Sequence, residues 1–266
     1  MDSSSEITFD GEQRIGIQKR SVRRRFQALL EELTVMNVQS VADRMAELNP
    51  IEGRSHFCEA VMRSQMQFPQ STNVYAALVA AINPRFPDVG YLVAKRAAVR
   101  FREACDSRDR DRTETAAALV AHLANQAVVH AALAWDVLMY LLTVYPMDNT
   151  AAAAGFCIEC GSMLRASAPQ RFTDIVGGFR RLLRGLVVDK PLRRRILKLI
   201  QADESMFEDY PAIIYELDLV EAGEQVTHMV SLLQPIDPEY SLDSSISSTS
   251  EIAGGGYGSD EEVSSC

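Results

Sequence analysis

The sequence predicts an all-α fold, an α-solenoid built from about five helical hairpins and followed by a disordered acidic tail. Apolar residues recur with the helical period of about 3.6, and alanine-rich segments add helix propensity. Prolines interrupt these segments at close intervals, as expected where one helix ends and another begins. A globular helical bundle is the alternative architecture, because the sequence contains no letter-for-letter repeat.

The apolar stripes and the breaks together predict ten helices. One clear stripe occupies positions i, i+3, i+4 and i+7 of a helical face: Phe26, Leu29, Leu30 and Leu33. The predicted helices cover residues 22–35, 38–48, 53–66, 71–83, 88–106, 111–126, 130–144, 148–167, 171–187 and 190–202. Asp148 and Asn149 predict the N-cap of the eighth helix, and Pro191 falls in the first turn of the tenth. Consecutive helices pair into five hairpins of about 40 residues each, the size of a HEAT-type repeat.

Composition divides the chain into three parts. We expect a flexible N-terminus at residues 1–20, a HEAT-type helical domain at residues 21–234 and a disordered tail at residues 235–266. The tail is rich in Ser, Gly and acidic residues, and it offers too little apolar surface to offset the entropy of ordering. It holds seven of the 36 acidic residues and none of the 27 basic ones, so it carries −7 of the net charge of −9.

Charge, hydropathy and cysteine content argue against several classes of protein. Outside the tail the net charge is −2, whereas a general DNA-binding protein is strongly basic. An apolar run such as Ala76–Ile82 has only seven residues, and a membrane span needs about 20. The five cysteines are an odd and widely spaced set, which indicates a reducing compartment rather than a disulfide framework. We therefore expect no membrane partner.

The sequence contains no catalytic constellation, so we expect a protein that is not an enzyme and has no cofactor or metal site. Cys157 and Cys160 have C-x-x-C spacing, but a zinc site needs about four ligands and the chain has no second pair. Their alanine-rich helical segment favours two buried side chains on one helix face over a redox pair. His122 and His130 flank two amide side chains, a pattern more typical of a hydrogen-bonded corner between helices than of a site.

Basic residues cluster on several of the predicted helices. The tenth helix contains the run Arg193, Arg194 and Arg195. The solvated faces of a solenoid account for such clusters. The functional alternative is a surface that binds RNA phosphates or an acidic partner.

Six segments resemble, in order, the middle domain of initiation factor 4G, in the version found in the spliceosomal Cwc-twenty-two family. They are NPIEGRSHFC, NVYAALVAAIN, FREACDSRDRD, AHLANQAVVH, the Asp189-Lys190 pair and LDLVEAGEQVTHM. The second segment marks the broad superfamily, and the last narrows the resemblance to the spliceosomal branch. The similarity runs from about Gln27 to Leu232, roughly three-quarters of the chain.

The resemblance implies five HEAT-type hairpins, in agreement with the ten helices counted independently. It implies a non-enzymatic adaptor in pre-mRNA splicing and exon-junction-complex assembly, in the nucleus and with shuttling to the cytoplasm left open. Its partners would be spliceosomal proteins and a DEAD-box RNA helicase, the exon-junction paralogue of initiation factor 4A. The family's closing segment packs back on the helices, so Asp218, Glu221 and His228 would be structural polar groups. An RNA-binding α-solenoid and a translation-initiation scaffold are the alternatives.

The family's main helicase contact is an Asn-Lys-Val-Asn turn between the first two helices. Here the corresponding stretch is ELTVMN, residues 32–37, in which Asn37 matches while Thr34 and Val35 replace the Asn-Lys pair. The loop after the second helix also keeps part of the family pattern, with an acidic residue in place of an arginine. The resemblance thus assigns helicase contacts, on an altered surface, to four residues: Asn37, Asn49, Gly53 and Arg54.

Overall fold

The structure is a computed structural model that describes residues 21–51, 53–185 and 188–233, and all regular elements of these residues are helical. The ten α-helices are α1 at residues 21–31, α2 Val38–Glu47, α3 Arg54–Gln67, α4 Thr72–Ile82, α5 Pro87–Asp106, α6 Arg110–Asn125, α7 Ala131–Thr143, α8 Pro146–Ser167, α9 Pro169–Gly185 and α10 Lys190–Glu204. Two short 3₁₀-helices cover Pro69–Ser71 and Tyr215–Leu217. The all-α prediction is confirmed. The predictions for residues 1–20 and 235–266 lie outside the described residues.

The helices form two stacked layers, as expected for a solenoid. Each even-numbered helix packs on the next even-numbered one, from α2 through α4, α6 and α8 to α10. From α3 onward, each odd-numbered helix packs against its hairpin partner, and α3 also packs on α5. Because every hairpin buries its apolar face against its neighbours, the hydrophobic core runs along the stack.

Aromatic pairs join neighbouring elements within this core. Phe26 of α1 meets Phe57 of α3 edge to face, with ring centroids 5.6 Å apart, and both side chains are fully buried. Phe172 of α9 meets Phe207, just after α10, in the same way at 5.6 Å. The last hairpin is amphipathic: in α9 only three side chains are buried, Phe172, Val176 and Phe179. One face of α9 therefore remains in solvent at the end of the stack.

The predicted N-cap of α8 is wrong. The helix begins at Pro146, and Tyr145 occupies the cap position with a left-handed backbone, φ 50° and ψ 55°. Asp148 lies inside the first turn, where it pairs with Arg110 of α6 at 2.7 Å. Asn149 is buried and donates to the carbonyl oxygen of Val144 at 2.8 Å. Both polar side chains thus stabilise the turn and its neighbour without capping the helix.

After α10 the chain reverses direction. We call residues 205–233 the return segment. It lacks α-helix, and its backbone forms one isolated parallel bridge between His228 and Val129. Phe207, Leu217, Val230 and Leu232 anchor it by burial. No helix of the described residues is long and apolar enough to cross a bilayer.

Candidate partner-binding surface

Asn37 fixes the turn between α1 and α2. Its Oδ1 accepts a hydrogen bond from the backbone N–H of Thr34 at 2.7 Å, and its Nδ2 donates to the carbonyl oxygen of Glu32 at 2.8 Å. The side chain is only half-buried, but both of its polar ends are used inside the turn. Asn37 therefore shapes the surface that a partner would meet.

Met36 occupies the exposed position of the same turn. Its side chain is 85% exposed, although methionine is apolar and is usually found inside a fold. The side-chain bonds of Asn37 to Glu32 and Thr34 fix the backbone that carries Met36. Inspection of the sequence did not single out Met36, because its exposure depends on where α1 ends.

Asn49, Gly53 and Arg54 belong to the loop between α2 and α3. Asn49 is exposed and has a left-handed backbone, with φ of 52°. Gly53 is buried at the N-cap position of α3, where a Cβ atom would lie 3.0 Å from Cε2 of Phe26. Gly53 thus packs closely against α1 and offers no side chain to a partner. Arg54, half-buried, begins α3.

The four residues assigned to the helicase contact do not form one cluster. Asn37 precedes α2, and the other three follow it. A helix of ten residues is about 15 Å long. The first hairpin therefore presents two separate points, one at each end of α2, and a partner that uses both has to contact the length of this helix.

The arginines of α10 point to different environments. Arg193 and Arg194 are exposed. Arg195 is half-buried, pairs with Glu114 of α6 and donates to the carbonyl oxygen of Ala151 in α8 at 3.1 Å. Arg195 thus ties the last hairpin to the two before it, and only its two neighbours face solvent.

His228 anchors the return segment to two earlier parts of the chain. Its Nε2 lies 2.7 Å from Oδ1 of Asn83, whose Nδ2 donates to the carbonyl oxygen of Val226 at 2.5 Å. The backbone N–H of His228 donates to Val128 at 2.9 Å, and its carbonyl accepts from His130 at 3.1 Å. Burial lowers the pKa of His228, although the carboxylate of Asp88 acts in the opposite direction. The imidazole is therefore neutral at pH 7.

The expectation for Asp218 and Glu221 is wrong. Both are exposed, and neither side chain forms a hydrogen bond or ion pair with another described residue. They contribute negative charge to the surface of the return segment. Of the three polar residues that the resemblance assigned to structure, only His228 has that role.

The polar cluster between α6 and α7 is a corner that joins helices, as predicted. His130 caps α7, its Nδ1 accepting from the N–H of Ala132 at 3.2 Å. Asn125 donates to the carbonyl oxygen of Glu159 at 2.8 Å, and Gln126 to that of Leu217 at 3.1 Å. The fourth member, His122, lies 3.1 Å from the carboxylate of Glu159, and this contact lowers the carboxyl pKa.

Cys157 and Cys160 are fully buried in α8, as the alanine-rich segment predicts. Burial raises the pKa of both thiols far above the usual range. A thiol held in its neutral form is a poor nucleophile and a poor metal ligand. Over residues 21–51, 53–185 and 188–233, no three His, Cys, Asp or Glu side chains are grouped as a metal site requires.

The sequence is similar to known splicing factors. The pre-mRNA-splicing factor CWC22 homologs of Pongo abelii and Homo sapiens are each 33% identical to it over 219 residues, which is 82% of this chain and 24% of theirs. Pre-mRNA-splicing factor cwc22 of Aspergillus fumigatus is 32% identical over 222 residues, 84% of this chain and 25% of its own. No family model matches the chain.

These relatives share most of the region that forms the ten helices. The chain spans about a quarter of the length of the relatives it matches. The matched region and the stack of five helical hairpins agree with the resemblance identified from the sequence segments. The chain therefore belongs to the Cwc22 family of pre-mRNA-splicing factors, within the superfamily of initiation factor 4G middle domains.

Proposed function

We propose that the chain is a non-enzymatic adaptor of pre-mRNA splicing that binds a DEAD-box helicase of the exon-junction type. Its relatives are named splicing factors, which supports a role in the spliceosome and in the nucleus. Its further partners would be other spliceosomal proteins. An adaptor that binds one arrangement of the two helicase lobes more tightly shifts the helicase toward that arrangement.

The observation that carries the proposal is the turn between α1 and α2. Asn37 fixes this turn, and Met36 stands 85% exposed on it, at the position where the family's helicase contact is expected. A large apolar side chain held in solvent by a fixed backbone is suited to enter a pocket on a partner. The backbone of the turn loses little conformational freedom on binding, because it is already ordered.

The histidines and cysteines, which are residue types that often carry catalysis, have structural roles here, and this supports a binding function. His228 is neutral and bonded to Asn83, and His130 caps a helix. Cys157 and Cys160 are buried without access to a substrate. In the described residues these groups are spread over different elements and do not converge on one cavity. This arrangement favours a function that depends on affinity for a partner.

The test is calorimetric titration of the chain with a purified helicase of the exon-junction type. Met36→Asp should weaken binding by about tenfold or more, because it places a charge where an apolar side chain would be buried. Met147→Asp is the matched control, since Met147, in the first turn of α8, is 87% exposed. Absence of binding by the unmodified chain would overturn the proposal.

RNA binding by α10 is the second candidate function. The exposed positions of Arg193 and Arg194 favour it, but Arg195 is paired with Glu114. The nearby Arg180 of α9 also lies 3.1 Å from the carboxylate of Glu204. Part of the positive charge of the last hairpin is thus neutralised internally. A translation-initiation scaffold is the other alternative, and binding to initiation factor 4A in preference to its exon-junction paralogue would favour it.

A further inference from the structure

A groove of about 490 Å³ separates the second and third hairpins, and none of the residues assigned to the helicase contact lines it. The C-terminal halves of α3 and α5 and the N-terminal half of α6 form its walls. Its floor is apolar and includes Met62, Ala97, Ala104 and Leu119, each at most 5% exposed. A groove of this size accommodates a few side chains of a ligand.

The walls of the groove are fixed in position. Gln65 of α3 is buried, and its Nε2 donates to the carbonyl oxygen of Thr115 in α6 at 2.9 Å and to Oγ1 of Thr72 at 3.0 Å. One amide thus joins three helices on one side of the groove. These bonds hold α3, α4 and α6 together beside the opening, which lowers the cost of binding a ligand there.

One large apolar side chain stands exposed on the lining of the groove. This is Met66, which is 42% exposed, and Phe68, two residues further along the chain, is 43% exposed. Exposed apolar residues beside an apolar groove mark a surface for another protein. The unbranched side chains of Met62 and Met66 can adapt to the shape of a ligand.

Arg100 supplies the charge that selects the ligand. Its Nη1 lies 3.6 Å from Sδ of Met66, and no carboxylate of the described residues forms an ion pair with it. A thioether is a weak acceptor, so a ligand carboxylate would give Arg100 a much stronger hydrogen bond. The other cation of the groove, Arg112, already pairs with Asp109 at 3.2 Å. Glu103, about one helical turn after Arg100, is also on the lining, and its charge disfavours a second acidic group in the ligand.

We propose that this groove binds a short segment of another protein in which an apolar side chain lies within a few residues of a carboxylate. The apolar side chain packs against Met62 and Met66, and the carboxylate pairs with Arg100. This mode of recognition combines a buried anchor with a single directional charge contact. No residue of the turn that carries Met36 lines the groove.

Selection of random peptides of about twelve residues on the immobilised full chain tests the proposal. We expect the selected peptides to contain Asp or Glu close to Leu, Met or Phe. As synthetic fluorescent probes, they should bind about tenfold more weakly to Arg100→Glu and to Met66→Lys, as measured by anisotropy. Arg193→Glu and Met147→Lys are the matched controls, because they change an exposed cation and an exposed methionine elsewhere.

Several results would overturn the proposal. One is the absence of any enriched peptide, and another is equal binding of the peptides to the variants and to the unmodified chain. If Arg100→Glu lowers the melting temperature, Arg100→Gln replaces it with the same expected loss. Helicase titrations run in parallel separate the two sites: if Met66→Lys abolishes helicase binding, the groove belongs to the helicase surface. Self-association that Arg100→Glu reverses would instead make a second copy the occupant.

Discussion

Nε2 of His228 lies 2.7 Å from Oδ1 of Asn83, although the two residues are 145 positions apart in the chain. Asn83 follows α4, in the second hairpin, and His228 belongs to the segment that comes after the fifth. Because Nδ2 of Asn83 donates to the carbonyl of Val226, its Oδ1 is the acceptor and the imidazole donates. This amide therefore ties the return segment to the second hairpin, beside the backbone bonds that His228 makes with Val128 and His130.

Gly90 should be intolerant of alanine even though it lies in a helix. A Cβ atom at this position would come within 2.0 Å of Oδ1 of Asn83 and displace that amide. We expect Gly90→Ala to lower the free energy of unfolding by about 1–3 kcal/mol. Gly178→Ala in α9 is the control: its nearest atom is 3.8 Å away, on the flexible end of Arg181, so it should stabilise by up to about 1 kcal/mol. Chemical denaturation monitored by circular dichroism measures both, and a stabilising Gly90→Ala would contradict this account.

The lowered pKa of His228 predicts a loss of stability in mild acid. The unfolded chain takes up a proton at this residue near pH 6.5, whereas the folded chain does so only at a lower pH. The contribution of neutral His228 to folding stability is therefore complete above pH 6.5. It is lost as the pH falls through the lowered pKa of the folded state, since protonation favours the unfolded state. In His228→Gln, which keeps a donor for Asn83, the unfolding free energy should fall less between pH 7 and pH 5. Parallel pH curves for the two proteins would show that another group is responsible.

Buried cysteines should be inert in the folded protein. Burial raises the pKa of Cys58 and of Cys105 to about 11, and those of Cys157 and Cys160 are raised as well. We expect iodoacetamide at neutral pH to modify these four thiols only after the chain is unfolded by denaturant. Peptide mapping by mass spectrometry measures the extent at each position. Rapid native-state labelling of Cys157 or Cys160 would show that α8 opens and exposes the C-x-x-C pair.

Replacement of Arg195 should destabilise the fold more than replacement of Arg193, although the two residues lie in one basic run. Arg195→Ala removes the contacts with Glu114 and with the carbonyl of Ala151, and we expect a loss of about 0.5–1 kcal/mol because the ion pair is partly exposed. Arg193→Ala should change stability by less than about 0.5 kcal/mol. If α10 binds RNA, Arg193→Ala should reduce the dependence of affinity on salt without affecting folding. Equal destabilisation by the two variants would argue against the assigned role of Arg195.

The helix pattern could be predicted because each helix carries its own signals. Apolar periodicity, prolines and caps lie within the segment that they define, and the predicted ends agree with the observed ones to within two residues at nearly every position. The exception is α1, predicted to reach residue 35 and observed to end at 31. There Asn37 folds back on the chain and competes with the helix for backbone groups.

The surface could be predicted only in part, because it depends on contacts between distant segments. The exposure of Met36 follows from the turn, and the split between Asn37 and Asn49 follows from the length of α2. No local pattern reveals that Arg195 meets a carboxylate 81 residues earlier. The same holds for the groove beside Met66, which exists only where two hairpins are stacked.

The return segment makes the molecule less like an open row of units than its repeats suggest. In such a row the terminal unit can detach first, and the others follow one by one. Here the chain beyond the fifth hairpin is hydrogen-bonded to the loops after α4 and α6, through Val226 and His228. Unfolding from that end must first break these bonds. Mechanical pulling on the C-terminal side should therefore meet one large force peak rather than a series of small ones. The tension is passed directly to the second and third hairpins, which form the two walls of the groove.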